Sequence, residues 1–322
     1  MENALVCAYI LDSKGGAKEI GWDQIQNWSK DQGILWVHLD YTTKKAKNWL
    51  LKESGLDKIT ARAMIAEESR PRCVITSGGV LTFLRSVNSN PGQDPEDMVS
   101  IRTWIDENRI ISTRHRRLLS LSDLRQEIAE GNGPKTPIEF LIMLNDRITD
   151  RIADVLDDID EQVDGLEHDV LVERSHLLRP KIADLRRQII EIRRYLAPQR
   201  EALYRLQIQE TPLISSADRL HFREASDRII RYIEDLDSAR ERASISQEEL
   251  TARLAEQMDR RMYVLSVVAV IFLPITFLTG LLGINVGGVP GAGYNWAFEI
   301  VCGIILGIVI VTFQILRRKR WM

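Results

Sequence analysis

The strongest constraint on how this chain can fold lies near its end. Residues 262–316 read MYVLSVVAVIFLPITFLTGLL, then GINVGGVPGAGYN, then WAFEIVCGIILGIVIVTFQIL. The outer two pieces are each about 21 residues, long enough as helices to cross a hydrocarbon core of about 30 Å. The middle piece is uncharged and rich in glycine, so a short loop outside the core is expected there. Arg260 and Arg261 precede the pair, and Arg317, Arg318, Lys319 and Arg320 follow it. Basic flanks stay on the cytoplasmic side. The expected layout is a first span at 262–282, an outward loop at 283–295, a second span at 296–316 and a basic tail at 317–322, with both termini cytoplasmic.

Two helices cannot enclose a water-filled path, so transport through this hairpin would require a ring of copies. In the first span Ser266, Ala269, Leu273, Thr276 and Gly280 recur every three or four residues and form one small or weakly polar stripe. Two readings stand open. The stripe lines such a path, or its small residues let helices pack closely.

The end of the first span adds a more specific signal. FLPITFLTGLLGIN, from Phe272 to Asn285, followed by VGGVPG to Gly291, resembles the CorA superfamily of divalent-cation transporters, and more narrowly its ZntB zinc-transporter branch. The superfamily signature is Gly-Met-Asn; here the three residues are Gly283, Ile284 and Asn285. The ZntB branch usually has Gly-Val-Asn and a loop rich in glycine and proline. The magnesium branch commonly carries acids in this loop, whereas none occurs here between Gly283 and Phe298. LRRQIIEIRRYLAPQREAL, in the region before the hairpin, also looks like the ZntB branch.

The resemblance implies an α+β cytoplasmic domain with a mixed sheet, followed by long helices and a two-span membrane hairpin, in a CorA-like homopentamer of the inner membrane. It implies divalent-cation transport, zinc first and driven by a proton gradient, with a magnesium or cobalt channel as the alternative. The pore residues would be Ala269, Leu273, Thr276, Gly280, Gly283, Ile284 and Asn285. No cofactor is implied, since zinc is the transported ion. A ring of Asn285 amides and nearby carbonyls could hold a hydrated ion. Zinc prefers nitrogen and sulfur donors, which the loop lacks, so passage with water still attached is expected. The nearest acid is Glu299. A membrane-anchored scaffold is the reading of a different class, but a pure anchor has no use for the ordered Pro274, Thr276, Gly280 and Asn285.

At 322 residues there is room for one sizeable soluble domain ahead of the hairpin. A net charge of −3 argues against a nucleic-acid binder. The start, MENALVCAYILDS, lacks the basic region and cleavage site of a secretory signal. Cys7, Cys73 and Cys302 are far apart and include no CxxC pair, so neither a zinc cluster nor a disulfide framework is expected, as suits a reducing compartment. No nucleophile–base set or His-Glu metalloprotease motif stands out, so no enzymatic activity is expected.

Residues 1–134 read as an α/β domain. Strands are expected at 4–11 and 34–39, and hairpins at 72–87 and 98–113, turning at 77–79 and 106–108. Helices are expected at 44–53, 58–67 and 119–130, with a loop at 88–95. The basic cluster at 112–117 has no glycine-rich phosphate loop and reads as a solvated strand end or an inter-subunit contact. His38 and His115 read as satisfied structural histidines.

Residues 135–214 read as a helical pair and 215–261 as a stalk helix continuing into the membrane. Thr136, Pro137 and Glu139 start the first helix with a capping box. Its distal part is acidic, and the next helix, 175–209, is basic, so antiparallel pairing would match their charges. Pro198 should kink or interrupt that second helix. Asp157, Glu161, Asp164 and His168 share one face of the acidic helix, and Asp164 with His168 forms an i,i+4 pair able to hold zinc. The alternative is an ordinary face paired to the basic helix. Ser216 can cap the last long helix, which to Leu282 would reach about 100 Å. There Ile229, Ile233, Leu236, Arg240, Ala243, Gln247, Leu250, Leu254 and Gln257 make a heptad seam with polar interruptions, suited to a ring with a hydrated inner face.

Overall fold

The computed structural model describes residues 4–67, 70–76, 78–172, 176–284, 291 and 293–318. They fall into two compact units, one built from the sheet and helices as far as Gln247, the other from Glu248 onward. Seven strands form the sheet of the first: β1 (Leu5–Leu11), β2 (Ala17–Glu19), β3 (Ile34–Asp40), β4 (Arg72–Thr76), β5 (Gly79–Ser86), β6 (Val99–Ile105) and β7 (Arg109–Arg114). Their order is β2-β1-β3-β7-β6-β5-β4. Only β3 and β7 pair in parallel, so the sheet is mixed. The expected strands and both hairpins are present. The three-residue β2 and the five-residue helix α1 (Trp22–Gln26) are additions too short for any periodicity to reveal. Gly79 opens β5 where a Cβ would collide with the Ile105 carbonyl, so the β5–β6 approach depends on that glycine.

Both faces of the sheet are covered, which is why β3 is buried along nearly its whole length. On one face Val37, Leu39, Leu81, Phe83, Trp104 and Ile111 form a core with Trp49 and Leu50 of α2 (Lys44–Lys52) and Met64 of α3 (Lys58–Met64). Each of these large side chains contributes roughly 1.5–3 kcal/mol by leaving water. Thr43 caps α2 by accepting from the Ala46 N–H, and Asp57 caps α3 by accepting from those of Ile59 and Thr60. The other face lies under α4 (Leu119–Ala129), α5 (Pro137–Val172) and α6 (Leu178–Ile208), with Phe140 of α5 packed 4.8 Å from Trp36.

Within that second face a polar row crosses the sheet. Strand register aligns Cys7, His38, Ser112, Thr103, Thr82 and Cys73 as successive neighbours, and none is more than 3% exposed. The Trp36 indole donates to Ser112 Oγ at 2.9 Å, and His38 Nδ1 lies 2.8 Å from the same oxygen. His38 Nε2 and Thr103 Oγ1 have no hydrogen-bond partner among the described residues. The expectation of a fully satisfied histidine therefore holds for one ring nitrogen only. Burial, with Arg114 and Arg125 nearby, pushes the imidazole down to about 3. His115, in contrast, is exposed beside Tyr41.

The long helices follow the expected order with several corrections. Thr136 Oγ1 accepts from the Glu139 N–H, while the Glu139 carboxylate turns to the Lys135 N–H. The helix α6 begins at Leu178 rather than at 175, which lies outside the described residues. Pro198 does not interrupt it. Its neighbour Gln199 is buried and accepts from the Arg85 N–H at 2.8 Å, tying that turn to the sheet. The 67-residue α7 (Ser216–Leu282) is capped by Ser215, not Ser216: Ser215 Oγ accepts from the Asp218 N–H, and Asp218 returns the bond to the Ser215 N–H. Ile229, Leu236 and Ala243 of the heptad seam are buried within their own chain. An apolar face at seven-residue spacing reads the same whether a sister subunit or the same chain covers it. The second unit holds the rest of α7 and α8 (Ala297–Arg318).

The buried imidazole makes stability fall in acid. Below pH 6.5 the unfolded chain binds a proton at His38 that the folded chain refuses until about pH 3, so stability drops as pH falls through that window, by up to about 4 kcal/mol. His38→Asn keeps a polar partner for Ser112 without a titrating ring. Its thermal midpoint is expected to lose less than that of wild type between pH 6.5 and 4. Parallel curves would remove His38 from the acid response.

Candidate functional site

The membrane site is built from the last third of α7 and from α8. Both contain windows of mean hydropathy well above that of soluble helices, 2.5 and 2.4, and the buried share of those windows is 0% and 6%. Two helices of this length and composition can cross a bilayer. The stripe runs along the exposed surface of α7: Ser266, Leu273, Thr276 and Gly280 are exposed and Ala269 is half-exposed. Its hydroxyls are occupied locally where bonds are seen, with Ser266 donating to the Met262 carbonyl and the adjacent Thr279 to that of Ile275. Pro274 stands inside the helix, and the helical path continues through it.

A Cβ on Gly280, Gly303 or Gly307 would meet nothing within 4 Å. Among the described residues nothing crowds these three places. Gly283 is different. Its N–H bonds the Thr279 carbonyl at 2.9 Å, and a Cβ there would approach the same oxygen equally closely. Glycine thus lets the last turn of α7 close, and Ile284 follows it exposed. Asn285 lies outside the described residues, as do 286–290 and 292. Tyr294 and Trp296, exposed just before α8, are residues that favour the membrane–water boundary. The described surface of the first span offers hydroxyl and carbonyl oxygens but no charge, a chemistry that can exchange hydrogen bonds with a hydrated ion without chelating it.

The acidic face of α5 has a partner that the sequence did not reveal. Arg242 of α7 binds Asp160 at 2.8 Å, Glu167 at 2.7 Å and also Asp164. The bonds to Glu167 and Asp164 push its guanidinium further up, so it stays charged. One turn along from Asp164, His168 is exposed. Among the described residues no group of three or more His, Cys, Asp or Glu side chains is arranged to hold a metal ion. The ion pairs described for α5 toward another long helix all reach α7, with Arg228 on Asp150 at 2.7 Å as a second clasp. The basic helix α6 does the same, through Arg193 on Asp237. The helices α5 and α6 do pack against each other as expected, but the described ion pairs of each toward another long helix go to α7. No local signal marks Arg242, because its partners lie about 80 positions away.

These carboxylates are largely solvent-exposed, so each pair with Arg242 is worth at most about 1 kcal/mol. A double-mutant cycle of Arg242→Met and Asp164→Asn, read by denaturant unfolding, is expected to give a coupling energy of that size that shrinks in high salt. A zero coupling at low salt would mean that Asp164 does not share the guanidinium.

Comparison with known proteins bears on both sites. Residues 31–318 match the family described as CorA-like Mg2+ transporter protein. The divalent cation transporter CmaX of Pseudomonas aeruginosa is 37% identical over 326 residues, covering 100% of this chain and 98% of its own. The zinc transport protein ZntB of Pectobacterium carotovorum is 36% identical over 317 residues, covering 98% and 96%. The solved structure of full-length CmaX superposes with a TM-score of 0.85 at 36% identity, covering 100% of this chain and 99% of that one.

Proposed function

The chain belongs to the CorA-like Mg2+ transporter family, a family of divalent-cation transporters and not of enzymes, and from that premise we propose that it carries zinc into the cell through a pore formed by a ring of copies. The observation that carries the reading is the bareness of its spans. Two helices apolar enough for a membrane leave their glycine-bearing faces uncovered, and a bilayer-spanning water path needs more walls than one hairpin supplies. Five copies is the number that the family resemblance implies. Similarity to a zinc transport protein over nearly the whole chain supports zinc as cargo. The family description names magnesium, which keeps a magnesium or cobalt channel as the second reading.

In the proposed mechanism the stripe from Ala269 through Leu273, Thr276 and Gly280 lines the path, and Gly283, Ile284 and Asn285 form its outer mouth. An amide ring can bond the waters of a hydrated ion without trapping it, whereas a carboxylate ring would hold it longer. Inward movement of a proton down its gradient drives uptake. Asp164 and His168 are proposed as a weak regulatory zinc site, which would have to compete with Arg242 for Asp164. The site of action is the inner membrane, with both termini in the cytoplasm.

Asn285→Ala is expected to abolish zinc uptake by proteoliposomes while leaving the assembly's size unchanged. Ile284→Val should be nearly silent, since it removes one methylene. Running the assay with Zn2+ and with Mg2+, each with and without a pH gradient, tests cargo and coupling together. Native zinc flux in Asn285→Ala would refute the pore-mouth mechanism. For topology, Ala292→Cys in a cysteine-free background should react with an impermeant thiol reagent on intact cells; labelling only after lysis would reverse the orientation.

A further inference from the structure

Two arginines in the middle of α7 lack the partners that its other arginines have. Arg228, Arg242 and Arg253 each hold a carboxylate. Arg260 and Arg261, where the helix enters its apolar part, are exposed and take part in no ion pair among the described residues. Glu256 stands four residues before Arg260, the favourable order for a pair on a helix, yet the described ion pairs do not join them. Arg317 and Arg318 are exposed and unpaired in the same sense, but they sit in the last turn of α8, where the helix end itself favours a cation. Arg260 and Arg261 lie inside a continuous helix and have no such reason to be there. Two spans in succession bring the chain back to the membrane surface it left, so all four arginines belong to one leaflet.

A recess of about 420 Å3 lies against the pair, lined by Glu256, Gln257, Arg260, Arg261 and Val264. At 3.6 residues per turn these residues fall within an arc of about 140°. The stripe from Ser266 to Gly280 occupies the opposite side of the helix, so a stripe turned to a central path leaves the recess turned away from it. Followed into the span as far as Leu278, the arginine arc carries Val264, Val267, Val268, Ile271 and Ile275 and no polar side chain. Unpaired cations below an unbroken apolar face are the complement of a molecule with an anionic head and a hydrocarbon tail. We propose that this recess binds an anionic phospholipid: Arg260 and Arg261 pair with its phosphate, its chains lie along the face above them, and Arg317 and Arg318 add to the attraction. A zwitterionic lipid brings its own cation to the same place and gains less. The proposal needs the two spans but not the cargo, so a failure of zinc uptake leaves it standing.

The test is a titration of the full-length assembly, in neutral detergent at low salt, with phosphatidylglycerol, phosphatidylcholine or inorganic phosphate. Bound lipid is counted by native mass spectrometry and the thermal midpoint is followed alongside. Phosphatidylglycerol is expected to bind at least about tenfold more tightly than phosphatidylcholine and to raise the midpoint. Arg261→Gln should weaken phosphatidylglycerol about fivefold, and Arg260→Gln with Arg261→Gln about 25-fold. Arg260→Lys with Arg261→Lys should keep most of the affinity. Arg200→Gln, an exposed arginine of α6, removes the same charge elsewhere and should change nothing. Equal binding of the two lipids, unchanged binding in the glutamine variants, or an equal loss in Arg200→Gln would overturn the proposal. So would a midpoint raised as much by inorganic phosphate, which would make the recess a site for free anions. A glutamine variant that no longer assembles would assign the arginines to an acid of a neighbouring copy, again overturning the lipid reading.

Discussion

Backbone hydrogen bonding in hydrocarbon governs the molecule. A helix satisfies its own N–H and C=O groups and can cross a bilayer, but one helical hairpin cannot wall off water. The chain meets the first condition with α7 and α8, and in the proposed function it leaves the second to further copies. Among the described residues nothing lies over Gly280, Gly303 and Gly307 of these spans, which leaves room there for close helix contacts in the proposed ring. Gly283 is the counter-example, needed locally to close the last turn of α7.

The sheet-bearing unit is organised around the same helix. α5 and α6 carry opposite charges, yet each directs ion pairs to α7: Arg242 gathers three carboxylates, Arg228 takes Asp150, and Asp237 takes Arg193. Individually these exposed pairs are weak. Together with the burial of Ile229, Leu236 and Ala243, they fix the first part of the helix whose later part carries the first span. In the proposed mechanism, any change in the α5 carboxylates would therefore bear on the helix that lines the pore.

Much of the fold was legible because it is written locally. β1, β3, the two hairpins, α2 through α5 and the 67-residue α7 all fall close to where alternation, helical spacing, caps and breakers put them. The misses have physical causes. β2 and α1 are too short to show a period. Ser215 and Ser216 are chemically equal candidates for a cap, and only the return bond from Asp218 separates them. Of the membrane-site residues, Ala269 through Gly280 lie on α7 and Gly283 and Ile284 just beyond its end, whereas Asn285 lies outside the described residues and stands on the resemblance alone.

By itself the sequence determined the two spans, the basic flanks, the family and the alternation of an α+β domain ahead of a stalk, because length, charge and short-range periodicity are properties of neighbouring residues. The tertiary structure alone decided what meets across distance. It aligned Cys7, His38, Ser112, Thr103, Thr82 and Cys73 into one buried row through strand register. It gave Asp164 to Arg242 instead of to the basic helix. It also turned the apolar part of a heptad seam inward onto its own chain. Each of these is a pairing between segments far apart in sequence, and local pattern states that a face needs a partner without stating which one.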